Sequence, residues 1–305
     1  MTAPDDVSLP PPDDETALPA CVLVFNANDP SGAGGLTADV AAIASVGGHP
    51  ATVVTGAYAR DTGNVFDHFH FDDEAVAEQA RAVLEDLPVQ AIKVGFVGSP
   101  ATLGVIAQIA DDYAETPVIA YMPSLSWWSD DLIDQYLDAF AELLLPQASV
   151  LVGSHGTLWR WLLPDWSSER SPGARDIAAA AAQHGTPYVL VTGIPADGQC
   201  VENVLASPEA VLGSGKFELF EATFTGAGDT LSAALTALIA SGTDLGEATA
   251  EALAFLDQSL AAGYRPGMGH VLPDRMFWAH AGDDDEESES EPDPFDGMPP
   301  HDTRH

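Results

Sequence analysis

The sequence predicts an α/β protein in which a mostly parallel sheet lies between two layers of helices. Three observations carry that expectation. Short apolar runs alternate with helix-length, alanine-rich stretches along nearly the whole chain, as repeated βα units do. Two glycine-rich turns, at 28–35 and 225–228, each lead directly into such a helix. The 305 residues are 46% hydrophobic, enough for one large domain with a substantial core.

The elements follow in order. Cys21 to Asn26 is a continuous apolar run, as a strand buried on both faces requires. It enters the turn Asn28-Asp-Pro-Ser-Gly-Ala-Gly-Gly35 and a helix reaching about Ser45. Strands are expected at 51–58, 91–94, 118–121, 150–152 and 188–191, and helices at 74–85, 102–113, 130–145 and 174–184. Segments 200–205 and 216–220 read as a β-hairpin, and helices at 227–241 and 245–262 close the core, with Gly242 as a stop signal between them. No internal repeat is visible.

Charge narrows the partners. Lys plus Arg is 10 against 47 for Asp plus Glu, a formal net charge of −37, and the only lysines are Lys93 and Lys216. Such a surface repels nucleic acid and anionic membranes, so the expected partner is a small molecule, with a homodimer admitted. An anionic ligand would have to be held by local dipoles, a metal ion or a few arginines. Cys21 and Cys200 form neither a disulfide framework nor a zinc site. No apolar run reaches the roughly 18 residues that span a bilayer, and no signal peptide opens the chain, so a cytoplasmic protein is expected. Composition divides the chain into an acidic, proline-rich leader at 1–17, a domain at 18–282 and an acidic tail at 283–305, both ends expected to be disordered.

The chemistry concentrates at Thr225-Gly-Ala-Gly-Asp229. Gly226 and Gly228 let the backbone approach a ligand closely, and the helix that starts there directs unpaired N–H groups and a positive dipole end at the same point. Asp229 beside that anion site could accept a proton from an attacking hydroxyl. Together these parts suit phosphoryl transfer to an alcohol. The first loop is no Walker A motif, since no Gly-Lys-Ser/Thr follows, and no Gly-x-Ser-x-Gly elbow supports a hydrolase.

Asp29-Pro-Ser-Gly-Ala-Gly-Gly-Leu-Thr-Ala-Asp39 resembles the N-terminal signature of the bacterial hydroxymethylpyrimidine/phosphomethylpyrimidine kinases of thiamine biosynthesis. Lys93-Val-Gly-Phe, Leu144-Leu-Pro-Gln147, Thr225-Gly-Ala-Gly, Leu231-Ser-Ala-Ala-Leu235 and Gly267-Met-Gly-His270 fall where that family has similar stretches. The resemblance spans about residues 20–280. It implies a ribokinase-like three-layer αβα sandwich and an enzyme using ATP and Mg²⁺. By the same resemblance Gly34, Asp39, Tyr58, Arg60, Phe96 and Met122 are substrate positions. Gly226, Ala227, Gly228 and Asp229 are catalytic ones, and Ser154, Thr157, Thr192 and Thr225 lie on the nucleotide side. No residue is assigned to the metal.

The departures bear on substrate and nucleotide. The family usually has Cys where this chain has Asp229, the form typical of ribokinases. A family Gln corresponds to Arg60; guanidinium only donates hydrogen bonds, so Arg60 suits a carboxylate or phosphate on the substrate, or pairs with Asp61 or Asp39. An Asn-x-x-Glu motif corresponds to Ser154 and Thr157, a phosphate-binding Lys to Thr192, and a strand-end Asp to Ala120. With these losses the grip on the phosphates would rest on the anion hole, the metal, Arg60 or Arg160. A pyridoxal-type kinase and a non-catalytic pyrimidine-binding relative stand as alternatives. His68 and His70 alternate as metal ligands could, with no third ligand nearby in sequence. Trp127, Trp128, Trp159 and Trp161 are expected to pack core or cover a dimer face.

Overall fold

The computed structural model describes residues 18–280. The leader and tail expected at 1–17 and 283–305 lie outside the described residues.

Nine strands form one sheet: β1 (Cys21–Asn28), β2 (His49–Arg60), β3 (Val65–His70), β4 (Val89–Val94), β5 (Val118–Met122), β6 (Val150–Ser154), β7 (Tyr188–Ala196), β8 (Cys200–Ala206) and β9 (Val211–Glu218). Their spatial order is β3-β2-β1-β4-β5-β6-β7-β8-β9. The six strands β2, β1, β4, β5, β6 and β7 run parallel; β3 pairs antiparallel with β2 at one edge, and at the other β8 pairs antiparallel with both β7 and β9. Chain order departs in opposite directions from β1, which makes the β1/β4 boundary a topological switch point, where open α/β sheets bind ligands.

The helices are α1 (Gly35–Ser45), α2 (Asp73–Leu84), α3 (Pro100–Asp112), α4 (Asp130–Ala139), α5 (His155–Leu162), α6 (Ala174–Ala182), α7 (Ala227–Ala240), α8 (Leu245–Ala261) and α9 (Phe277–His280). Strand side chains alternate between faces with period two, and the core divides accordingly. Leu23, Phe25, Ile92, Val94, Ala120 and Leu151 pack with Val76, Leu103, Tyr136 and Ile177 of α2, α3, α4 and α6. Val22 and Val24 face α1 and α7, and Ile119, Val152 and Leu190 face α7 and α8. No helix among the described residues is long and apolar enough to cross a membrane.

Three local expectations need correction. The helix expected through 145 ends at Ala139 and continues as a π-helical turn, Phe140–Leu144, that buries Phe140 and Leu144. Pro146, without an N–H, then limits the chain to a short 3₁₀ turn. The last hairpin strand is Val211–Glu218 rather than 216–220, because its register pairs Val211 with Ala206 and Glu218 with Cys200. Residues 155–162, given no element from sequence, form α5: Ser154 caps it, its Oγ accepting from Thr157 N at 3.2 Å.

Candidate active site

The two glycine-rich turns meet at the switch point. The first follows β1 and is shaped by Asp29, whose carboxylate accepts from Ser31 N at 2.8 Å and Gly34 N at 2.8 Å. The second opens α7. Gly226 has φ of +88°, and a Cβ there would fall 1.7 Å from Ala33 O, so only glycine permits this approach of the turns. Arg275, buried, ties them together: it donates to Ala33 O at 2.6 Å and to Thr230 Oγ1 of α7 at 2.8 Å.

Between the turns lies a polar cluster. The Lys93 ammonium, fully buried at the end of β4, is 2.6 Å from Asp39 Oδ1 and 3.1 Å from Asp229 Oδ1. Asn26 Nδ2 donates to both carboxylates, at 2.8 Å and 3.0 Å, while its Oδ1 accepts from Ala27 N and Phe96 N. Gly35 N donates to Asp229 Oδ2 at 3.2 Å. Asp39 is completely buried, whereas the Asp229 side chain keeps 16% exposure.

Electrostatics separate the two acids. Burial raises Asp39 to about 6, with the Lys93 charge offsetting only part of that cost. Burial would raise Asp229 too, but the Lys93 charge and the Gly35 N–H more than compensate, and its carboxyl sits below the ordinary range. Burial alone would lower the Lys93 pKa; the charges of Asp39 and Asp229 outweigh it and raise the pKa instead. At neutral pH Asp229 is therefore an ionised carboxylate with one edge open.

That edge faces a cavity of about 750 Å³. Tyr58, Arg60, Tyr121, Trp127, Thr225 and His270 are among its lining residues, with Gly226 and Asp229 at one end. Thr225 Oγ1 lies 2.9 Å from His270 Nδ1, and Gly269 N donates to Thr62 Oγ1 at 3.2 Å, so the 267–270 segment docks on the β2–β3 turn and walls the cavity. Arg60 lies 3.4 Å from Asp29 Oδ2, its side chain 11% exposed. Arg60 does pair with Asp61, through its main chain, Nε donating to Asp61 O at 3.2 Å; no ion pair forms with either carboxylate, Asp61 Oδ1 being taken by Gly63 N and Asn64 N, and Asp39 by Lys93 and Asn26.

The remaining sequence candidates are dispersed. Gly34 adjoins the cavity, where a Cβ would meet Asp229 Oδ2 at 2.9 Å. Asp39 is sealed beneath it. Phe96 is buried and stacks under Tyr58 with ring centroids 5.7 Å apart, supporting the wall without lining it. Met122 lines a separate hollow of about 330 Å³ with Thr157 and Arg160. Ser154 and Thr157 bond each other in the α5 cap at 2.8 Å. Thr192 lines a mostly apolar hollow of about 270 Å³ with Phe217, Phe220, Leu253 and Ala227, on the far side of the 224–227 turn. Phe224 borders both this hollow and the main cavity.

Sequence reasoning gave no role to Asn26, Tyr121 or Arg275. Ala120, matched to a family Asp, faces the opposite core; its neighbour Tyr121 faces the site. A polar residue ending an apolar strand run was the one signal available for Asn26. His68 Nε2 is buried without a hydrogen-bond partner, its ring against Tyr58 and Phe96. Among the described residues no group of three or more His, Cys, Asp or Glu could hold a metal ion, so the His68/His70 pair has no third ligand.

Comparison with known proteins agrees with this geometry. The phosphomethylpyrimidine kinase family model matches residues 29–274. A hydroxymethylpyrimidine/phosphomethylpyrimidine kinase of Rhizobium meliloti is 28% identical over 269 residues, covering 86% of this chain and 99% of the relative. Among solved structures, an ADP complex of Bacillus subtilis pyridoxal kinase superposes with a TM-score of 0.76 at 21% identity, covering 85% of this chain and 98% of that one. A Clostridium difficile phosphomethylpyrimidine kinase gives 0.64 at 21% identity, covering 79% and 99%. With the ribokinase-like sandwich, the paired glycine turns and a family match over most of its length, this chain belongs to the phosphomethylpyrimidine kinase family.

Proposed function

We propose that this kinase transfers the γ-phosphoryl group of ATP to the hydroxymethyl oxygen of a hydroxymethylpyrimidine or to a phosphate oxygen of its monophosphate, steps of thiamine biosynthesis. The observation that carries the reading is Asp229: an ionised carboxylate in the first turn of α7, open to a cavity with room for a substituted ring and adjacent to the helix N-terminus. In this arrangement the pyrimidine lies against Tyr58 and Trp127. The nucleotide base occupies the apolar hollow beside Thr192, and the phosphates cross the 224–227 turn onto the first-turn amides of α7. With the alcohol as acceptor, the hydroxymethyl oxygen attacks phosphorus as ADP departs and Asp229 takes its proton; with the monophosphate, an ionised phosphate oxygen attacks and needs no base.

Arg60 bears on the acceptor. A cation at the cavity wall favours an acceptor that already carries a phosphate, so the monophosphate is the preferred substrate in this reading. Mg²⁺, which the family resemblance implies, would be held mainly by the ATP phosphates, since among the described residues no group of three or more His, Cys, Asp or Glu could hold it. ATP consumption supports a cytoplasmic location.

A coupled ADP-release assay across hydroxymethylpyrimidine, its monophosphate and pyridoxal tests the proposal. ADP release with the pyrimidines and not with pyridoxal is expected. Turnover of pyridoxal alone would replace the substrate, and no release with any of the three would point to a binding protein without transfer.

A further inference from the structure

Tyr121 is the last residue but one of β5, on the α7 side of the sheet, and two contacts fix it. Its ring centroid is 5.5 Å from Lys93 Nζ, so the ring covers the Lys93–Asp229 pair from the cavity. Its hydroxyl lies against Gly228, where an added Cβ would fall 2.1 Å from Oη. The phenol thus reaches the first turn of α7 between Gly226 and Asp229. No residue among the described ones hydrogen-bonds that hydroxyl, although it borders the main cavity. Burial, then the charges of Asp229 and Asp39, hold the phenol well above its ordinary pKa, so it remains a proton-bearing donor throughout the physiological range.

Arg60 and Thr225, donors that line the same cavity, are engaged: Arg60 with Asp29 and the Asp61 main-chain oxygen, and Thr225 with His270 and the Thr62 main-chain oxygen. Thr157 and Thr192 offer hydroxyls, not charge, and both are turned to separate hollows. Lys93 is consumed by two carboxylates. A neutral donor at the helix N-terminus suits a highly anionic chain, since it stabilises a developing oxyanion without a cation.

We propose that the Tyr121 hydroxyl is a catalytic hydrogen-bond donor to the phosphoryl group in transit, completing the cradle formed by the first-turn amides of α7. This rests on the phosphoryl-transfer reading above. In the step with the alcohol acceptor, the hydroxymethyl oxygen forms a bond to phosphorus, the bond to the leaving ADP oxygen breaks with its electron pair, and the hydroxymethyl proton passes to Asp229. Tyr121 keeps its own proton and donates a hydrogen bond to a non-bridging oxygen throughout.

The test compares wild type with Tyr121→Phe for kcat and both KM values, under conditions where chemistry limits turnover. A fall in kcat of about 10²-fold is expected, the scale for one oxyanion donor, with each KM within about threefold. An unchanged kcat, or a raised acceptor KM at constant kcat, overturns the proposal, the latter by showing that Tyr121 only holds the ring. Fluorotyrosine at position 121 preserves shape and serves if the Phe variant folds poorly. It keeps the hydroxyl, so its kcat should stay within a few-fold of wild type where Tyr121→Phe falls, a difference that a packing role of the ring would not produce. Should wild type transfer phosphate to no acceptor, the parent reading fails by itself. Calorimetry with inorganic phosphate then decides: tighter binding by wild type than by Tyr121→Phe supports the donor, and equal binding removes it.

Discussion

Lys93 places its ammonium 3.1 Å from Asp229 Oδ1 and 2.6 Å from Asp39 Oδ1, in a site where Lys93 itself has no exposure. One buried cation thereby holds two acids, and only Asp229 reaches the cavity. Burying a charge is costly unless it is paired, so the three groups stand or fall together. Lys93→Met should destabilise the protein by about 3–5 kcal/mol, the cost of leaving buried carboxylates unpaired. It should also raise the Asp229 pKa and move the acid limb of kcat/KM to higher pH. Thermal unfolding with a pH–rate profile measures both; a variant as stable as wild type would show the pair to be solvated.

Asp229→Asn keeps the shape and removes the proton acceptor. With the alcohol acceptor, a fall in kcat of about 10² or more is expected, with acceptor KM changed little. Steady-state kinetics on a folded variant reads this directly. Unchanged kcat would exclude Asp229 as the base.

Arg60→Gln restores an amide in the ring pocket and removes a cation. Binding of the hydroxymethylpyrimidine monophosphate should weaken by roughly 1.5–3 kcal/mol, the scale of a charge-assisted hydrogen bond. Uncharged hydroxymethylpyrimidine should bind as well or better. Asp29 keeps its Ser31 and Gly34 donors, so the first loop should persist in the variant. Calorimetry with both ligands separates the effects, and equal weakening of the two would reduce Arg60 to a shape element.

His68 sits beneath the Tyr58 wall, and burial, reinforced by the nearby His70, pushes its imidazole down to about 4. The fold therefore favours the neutral ring. Its stabilising contribution is present above the ordinary value of 6.5 and is lost as pH falls through about 4. From the size of that shift the loss is about 3 kcal/mol. His68→Phe removes this titration, so its melting temperature should decline less steeply than that of wild type between neutral pH and pH 4. Parallel curves would place the acid sensitivity elsewhere.

The order of apolar runs and helices, the two glycine turns and the acid after the second were legible in the sequence, because they are local signals: burial periodicity, φ freedom and helix initiation. They determined the parallel sheet and pointed to Asp229. Which residues share a site was decided by tertiary structure, because the strand order brings positions far apart in the chain to one edge. Arg60 meets Asp29, and Lys93 meets Asp39 and Asp229, only across that edge. Motif matching assigned Asp39 to substrate, yet packing seals it under Lys93; it assigned Ser154 and Thr157 to the nucleotide, where they cap α5. It passed over Tyr121, whose role depends on which face of β5 it occupies. A one-residue shift reverses that face, and only the paired register with β6, Tyr121 opposite Val152, settles it.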